Sequence, residues 1–119
     1  MRVMVIGASN NRAKFGNKAV RAYSRRGHQV LPVHPTLKQV EGHHAYARIV
    51  DVPGPIDRAT LYVPPEVGAP MMAQLAARGD VREVWLNPGA ESAEVLAAAE
   101  RVGIKPIQAC SIVDIGEEP

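Results

Sequence analysis

Short apolar runs alternate with longer stretches whose apolar residues recur every three or four positions. The runs are Arg2–Ile6, Gln29–Val33, Arg58–Val63, Val84–Leu86 and Lys105–Gln108. A run without a polar face is the pattern of a parallel strand covered on both sides. Between them, the spacing predicts a helix over about Gly16–Arg26, with Phe15, Ala19, Ala22 and Tyr23 on one inward face and Gly27 ending it. A second helix is expected from Ala69 or Pro70, because proline suits the first helical position; Met71, Met72, Leu75 and Ala76 form its inner face, and Gly79 stops it. A third covers about Ser92–Val102, with Val95, Leu96, Ala99 and Val102 inward and Gly103 beyond. The segment Thr36–Pro55 is less regular: Ala45–Ile49 reads as a short edge strand and Asp51–Pro55 as loop. Strands alternating with helices, without a hairpin signal, predict a three-layer, Rossmann-like open parallel sheet with helices on both faces, a single α/β domain over residues 1–119.

Right-handed crossovers carry every strand's C-terminal end to one edge of such a sheet. Four loops then meet there: Gly7–Lys18, His34–Lys38, Pro64–Glu66 and Asn87–Gly89. Ligands of open α/β sheets bind at this edge, near the point where strand order reverses. The stretch Gly7-Ala8-Ser9-Asn10-Asn11-Arg12-Ala13-Lys14-Phe15-Gly16 carries the chemistry. Gly7 permits a sharp turn and a close approach to the backbone. The helix that follows aims its free N–H groups and positive dipole end at that turn, a site for an anion and most often a phosphate. Ser9, Asn10 and Asn11 offer neutral hydrogen bonds; Arg12, Lys14 and Lys18 offer charge. The same residues also suit a structural strand–turn–helix with solvated cations.

Charge strengthens the anion reading. Residues 1–50 hold nine Lys/Arg and one acid, whereas residues 51–119 hold five Lys/Arg and eleven acids. The basic half is the half with the glycine turn, and such a split steers anionic partners. Nucleic acid is not expected, since aromatics are 4% and no basic run of five occurs. With 46% hydrophobic and 22% charged residues the chain has a globular profile. No stretch approaches the roughly eighteen apolar residues of a membrane span, and Met1-Arg2 followed by a short apolar run is not a signal-peptide pattern. One cysteine, Cys110, allows no internal disulfide and fits a cytoplasmic setting.

The nucleotide is narrowed by what the turn lacks. A dinucleotide turn reads Gly-x-Gly-x-x-Gly, with an acid near the end of the second strand. Here Ser9 and Arg12 replace the later glycines, and that strand ends Val33-His34-Pro35. No Walker Gly-Lys-Ser/Thr is present. Gly7-Ala8-Ser9 followed by Lys14-x-Gly16 resembles the turn of CoA-binding Rossmann domains, such as the N-terminal domain of the succinyl-CoA synthetase alpha chain and the related ADP-forming acyl-CoA synthetases. Val33-His34-Pro35, Val63-Pro64-Pro65-Glu66, Val84-Trp85-Leu86 and a cysteine near the end resemble the small stand-alone CoA-binding proteins, over nearly the whole chain. The resemblance implies CoA or acyl-CoA as ligand, with phosphates on Ser9, Asn10, Asn11, Arg12 and Lys14. It implies a lysine contact after the second strand, for which Lys38 is the nearest match. It also implies an adenine wall of Val63, Pro64 and Pro65, and ligand contacts from Leu86, Asn87 and Gly89. The chain departs from the pattern at Arg12-Ala13, where related turns carry Pro-Gly, and at Asn87, where stand-alone relatives carry Gln.

No catalytic or metal-binding residues are expected. His28, His34, His43 and His44 lack a zinc-type spacing, and His34 reads as ligand wall. The resembling synthetases require a second domain with a phosphorylated histidine. Cys110 reads as a small buried hydrophobe or a thiol at the site edge, and Trp85 and Met71-Met72 as core. The expected function is non-enzymatic binding of CoA or an acyl-CoA. The alternatives are an NAD(P)-binding oxidoreductase-like domain, and a regulatory or interaction protein that has lost its ligand.

Overall fold

The computed structural model describes residues 1–119. Five strands form one parallel sheet: β1 (Arg2–Ile6), β2 (Gln29–Val33), β5 (Ile56–Leu61), β6 (Val81–Leu86) and β7 (Ile107–Gln108), in the order β2-β1-β5-β6-β7. Two further short strands, β3 (Gln39–Val40) and β4 (His43–His44), pair antiparallel outside it. The helices are α1 (Phe15–Arg25), α2 (Pro65–Arg78), α3 (Ala93–Arg101) and α4 (Ser111–Asp114). The Rossmann-like architecture expected from the alternation is therefore present.

Strand β1 lies inside the sheet between β2 and β5, and Val3, Met4, Val5 and Ile6 are fully buried. Its alternation divides the core. Val3 and Val5 pack with Ala19, Val20, Ala22 and Tyr23 of α1 on one face. Met4 and Ile6 pack with Met72 and Leu75 of α2 and with Val95 and Ala99 of α3 on the other. From β1 the chain moves outward to β2, then returns across β1 to β5. Strand order therefore reverses between β1 and β5, which opens a crevice at their C-terminal ends.

Several elements differ from the pattern-based reading. Helix α2 begins at Pro65, one turn before the expected start, with Pro64 as its N-cap. Pro65 takes the first helical position, and Pro70 sits inside the helix on its exposed side. The carbonyl that Pro70 leaves without its intrahelical partner belongs to Glu66, an exposed residue. Strand β5 ends at Leu61 rather than Val63, because Tyr62 and Val63 turn away to wall the crevice. Strand β6 begins at Val81; Arg82 and Glu83 mask its start, although Glu83 is ion-paired to Arg58 on β5. The expected edge strand Ala45–Ile49 is absent. Only Tyr46 bridges to Val33, and Ile49–Asp51 is a 3₁₀ turn. The β3–β4 hairpin was not expected, since its turn is Glu41-Gly42 and Glu41 adopts φ 49° beside Gly42 at 81°; Asn or Asp is the usual partner of glycine there.

Helix α4 also lacked a signal. It is held by polar contacts: the Ser111 hydroxyl lies 2.7 Å from Thr60 Oγ1, and Asp114 accepts from Arg58 at 2.9 Å. Arg58 is 6% exposed, pairs with Glu83 at 2.9 Å and lies 4.3 Å from the Trp85 ring centre. Trp85 is thus a core residue with a cationic partner.

Candidate functional site

At the reversal point the ends of β1, β2, β5 and β6 and the start of α1 enclose a cleft of about 830 Å³, within the range of small-molecule and cofactor sites. Its floor depends on two glycines. Gly7 leaves β1 at φ 86°, and a Cβ there would lie 2.5 Å from the Tyr62 carbonyl oxygen. A Cβ on Gly16 would overlap the Gly7 carbonyl oxygen. Only glycine at both positions lets α1 begin directly on the β1 turn.

That arrangement leaves donors unused. The Lys14 side chain makes no capping bond to α1, and no acid occupies the first turn. The first N–H groups of a helix have no intrahelical partner, so the start of α1 presents donors and a positive dipole end to the cleft. Lys14 lines the cleft beside them without an ionic partner of its own. By contrast, α3 is capped by Ser92, which accepts from Val95 N–H at 3.2 Å. Helix α2 also borders the cleft, but its first turn holds Pro65 and Glu66 and suits an anion poorly. The turn between β1 and α1 is organised internally: Asn11 N–H donates to Ser9 Oγ at 3.0 Å, and Ala13 N–H donates to Asn11 Oδ1 at 3.1 Å. Asn17, fully buried, donates to the Ser9 carbonyl at 2.8 Å.

The cleft brings together Gly7, Ala8, Ser9, Lys14 and Gly16 with His34 and Pro35, Val63, Pro64 and Pro65, and Gly89. Other expected residues lie elsewhere. Asn10 and Asn11 are exposed on the turn outside the lining, and Arg12 faces away, 3.6 Å from Glu41. Lys38 is exposed at the start of the hairpin, where its carbonyl accepts from Ala45 N–H. Val33 and Leu86 are core, at 5% and 1% exposure. Asn87 is 2% exposed and wholly engaged: its amide donates to Thr60 Oγ1 and the Leu61 carbonyl, and Oδ1 accepts from Ser111 N–H. Its place is beneath the site, tying the β6 loop to β5 and α4. Gly89 N–H is turned to the Glu91 carboxylate, 3.1 Å away.

Tyr62, Val67 and Ala90 also line the cleft and lie outside the loops expected from the sequence, whereas Ala13, Phe15 and Pro88 lie within those loops without an individual contact assigned to them. Phe15 was expected on the buried face of α1. It is 52% exposed because the first residue of α1 overhangs the sheet edge, and its ring carries the Lys18 ammonium at 4.7 Å. Val102, expected inward on the third helix, is likewise 37% exposed, since it follows the last turn of α3. Tyr62 bonds Ser111 Oγ at 3.2 Å, and burial pushes its phenol up to about 12 against the opposing pull of the Ser111 and Thr60 hydrogen bonds.

No carboxylate lines the cleft, and His34 is its one imidazole. His43 contacts Ser24 Oγ at 3.2 Å, and His44 meets the Tyr46 ring edge-on, so the adjacent pair serves the hairpin. No cluster of three or more His, Cys, Asp or Glu is placed to hold a metal ion. Cys110 is half-buried against the α1-side core. No helix is long and apolar enough to cross a membrane.

The fold recurs among solved structures. A conserved hypothetical protein from Pyrococcus furiosus superposes with a TM-score of 0.84 at 32% identity, covering 95% of this chain and 97% of that one. A dinucleotide-forming acetyl-coenzyme A synthetase 1 from Ca. Korarchaeum cryptofilum shares the fold with a TM-score of 0.75 at 23% identity, over 88% of this chain and 25% of that one. In sequence the chain is 26% identical over 115 residues to the alpha subunit of an ADP-forming acetate–CoA ligase II from Pyrococcus furiosus, and it spans about a quarter of that subunit (25%). The model of the CoA binding domain matches residues 1–116, and the chain belongs to that family.

Proposed function

We propose that this chain binds CoA or an acyl-CoA in the cleft between β1 and β5. The supporting observation is the uncapped start of α1, seated on Gly7 with Lys14 beside it, in a cleft without carboxylates. A diphosphate placed there receives Ser9, the first N–H groups of α1 and the Lys14 ammonium, where charge-assisted bonds are strongest. Asn10, Asn11 and Arg12 lie close enough in the chain to reach an anion only if the turn rearranges, so they are secondary contacts. Val63, Pro64, Pro65 and Val67 form the apolar wall against the adenine. Pro88, Gly89 and Ala90 border the opposite end, where the pantetheine arm or an acyl group would leave. Leu86 and Asn87 support that loop from below.

The chain binds without chemistry of its own. Acid–base work needs a titratable group positioned at the reacting atoms; the cleft offers His34, Lys14 and Tyr62 and no carboxylate, and these serve ligand contact and packing. In the ligases the matching segment is a fraction of a longer polypeptide, and ligation in partnership with other domains is the enzymatic role open to this one.

The test is calorimetric titration of nucleotide-stripped protein with CoA, 3′-dephospho-CoA, NADH and ATP. CoA is expected to bind with the highest affinity. Preference for NADH would replace this reading with a dinucleotide-binding one.

A further inference from the structure

His34 follows the last residue of β2 and lines the cleft. Its Nδ1 lies 3.1 Å from both Thr36 N–H and Leu37 N–H. Backbone N–H groups only donate, so Nδ1 accepts from both, and the single proton of the neutral ring resides on Nε2. Nε2 has no partner in the chain, and lies on the side of the ring away from the loop backbone that Nδ1 engages. The loop therefore presents a neutral N–H donor of fixed tautomer at the cleft wall.

The residue at the end of the second strand reads the ribose in sheets of this topology. An acid there accepts from a free hydroxyl, and a cation accommodates a ribose phosphate. Here the position carries a donor that is barred from accepting, and no carboxylate lines the cleft to receive a hydroxyl proton. An anionic oxygen takes this donor in a charge-assisted bond, whereas a free ribose hydroxyl accepts from it only in the weaker neutral bond. We infer that His34, as an Nε2–H donor whose tautomer is set by the Thr36 and Leu37 amides, selects ligands with a phosphorylated ribose. For the CoA reading on which this rests, the group is the 3′-phosphate.

Two substitutions separate the two ring nitrogens. His34→Asn places an amide oxygen near the Nδ1 position, retaining the loop acceptor while removing the distal donor. His34→Gln extends an amide toward the Nε2 position and gives up the loop acceptor. Calorimetry on wild-type and variant proteins with CoA and 3′-dephospho-CoA reads the result, with thermal unfolding alongside. Expected is a loss of CoA affinity of roughly ten- to hundredfold in His34→Asn, a several-fold smaller loss for 3′-dephospho-CoA, an unchanged unfolding midpoint, and partial recovery of CoA affinity in His34→Gln. Equal weakening of both ligands, or none, overturns the inference while leaving CoA binding intact. Absence of CoA binding to the wild-type protein overturns both readings together. Nitrogen-15 shifts of the wild-type imidazole supply a check free of any variant: a protonated Nδ1 overturns the assignment, and a protonated Nε2 whose resonance moves on adding CoA supports it.

Discussion

Lys14 and Lys38 look alike in the sequence, both lysines in loops at the C-terminal edge of the sheet. Only Lys14 lines the cleft, beside the open start of α1. Lys14→Ala is expected to weaken CoA binding by about 1–3 kcal/mol, the range of charge-assisted hydrogen bonds. Lys38→Ala is expected to leave the affinity within about twofold, and the same titrations decide both. Gly16 is tested through stability, because the added methyl of Gly16→Ala meets the Gly7 carbonyl and neither backbone has slack. A loss of about 1–3 kcal/mol in denaturant unfolding is expected; an unchanged midpoint would show that α1 can lift off the turn without cost. Tyr62 has a pH signature. Its phenol is neutral in the folded protein up to about 12, against 10.0 ordinarily. A folded value above the unfolded one contributes stability that is complete below pH 10 and lost as pH rises toward 12. The expected decline is about 2–3 kcal/mol, and it should be absent in Tyr62→Phe.

At the scale of elements, each helix start is solved differently. Ser92 caps α3 and is not among the cleft-lining residues; Pro64 and Pro65 open α2 rigidly against the cleft; α1 is left uncapped over the glycine turn. Ser92→Ala is expected to cost about 1 kcal/mol of stability with unchanged CoA affinity, which would separate a helix start used for folding from one used for binding. The sequence showed where the helices lie because apolar spacing and terminal glycines are local signals. It misplaced the start of α2 since Pro65 and Pro70 each suit a first helical position, and the choice rests on how Val63 and Pro64 leave β5. The β3–β4 hairpin escaped because Glu41 tolerates a positive φ only where the surrounding chain holds it. Helix α4 is four residues long and stands on side chains from β5, which no local pattern encodes.

For the whole molecule, the two halves of opposite charge prove to be in contact. Glu117 near the C-terminus bonds Arg25 at 2.8 Å and Arg26 at 2.9 Å, so part of the basic excess of α1 is neutralised by the acidic half. Those arginine hydrogen bonds hold the Glu117 carboxyl below its ordinary 4.5. A depressed folded value means that the clasp is complete above that range and is lost as pH falls through the folded value. Chemical shifts of Gly116 and Glu117 are expected to titrate below 4.5, and this pH-dependent clasp to be lost when Arg25→Ala and Arg26→Ala are combined. Lys14 and the start of α1 lie outside this clasp and keep their field toward the cleft.

Composition and hydrophobic rhythm by themselves determined the parallel sheet, the order of its helices and the edge at which the cleft opens. These follow from burial and chain connectivity, which repeat regularly along the chain. The Gly7 turn, Lys14 and Val63-Pro64-Pro65 were legible too, since each has unusual backbone requirements or charge at a strand end. Tertiary structure alone decided which neighbours of those residues face the cleft. It turned Arg12 to Glu41, sank Asn87 beneath the loop, lifted Phe15 off the core and tied Nδ1 of His34 to two backbone amides. Such outcomes depend on distances between segments remote in sequence, and the strength of a hydrogen bond or a steric overlap changes within less than an ångström.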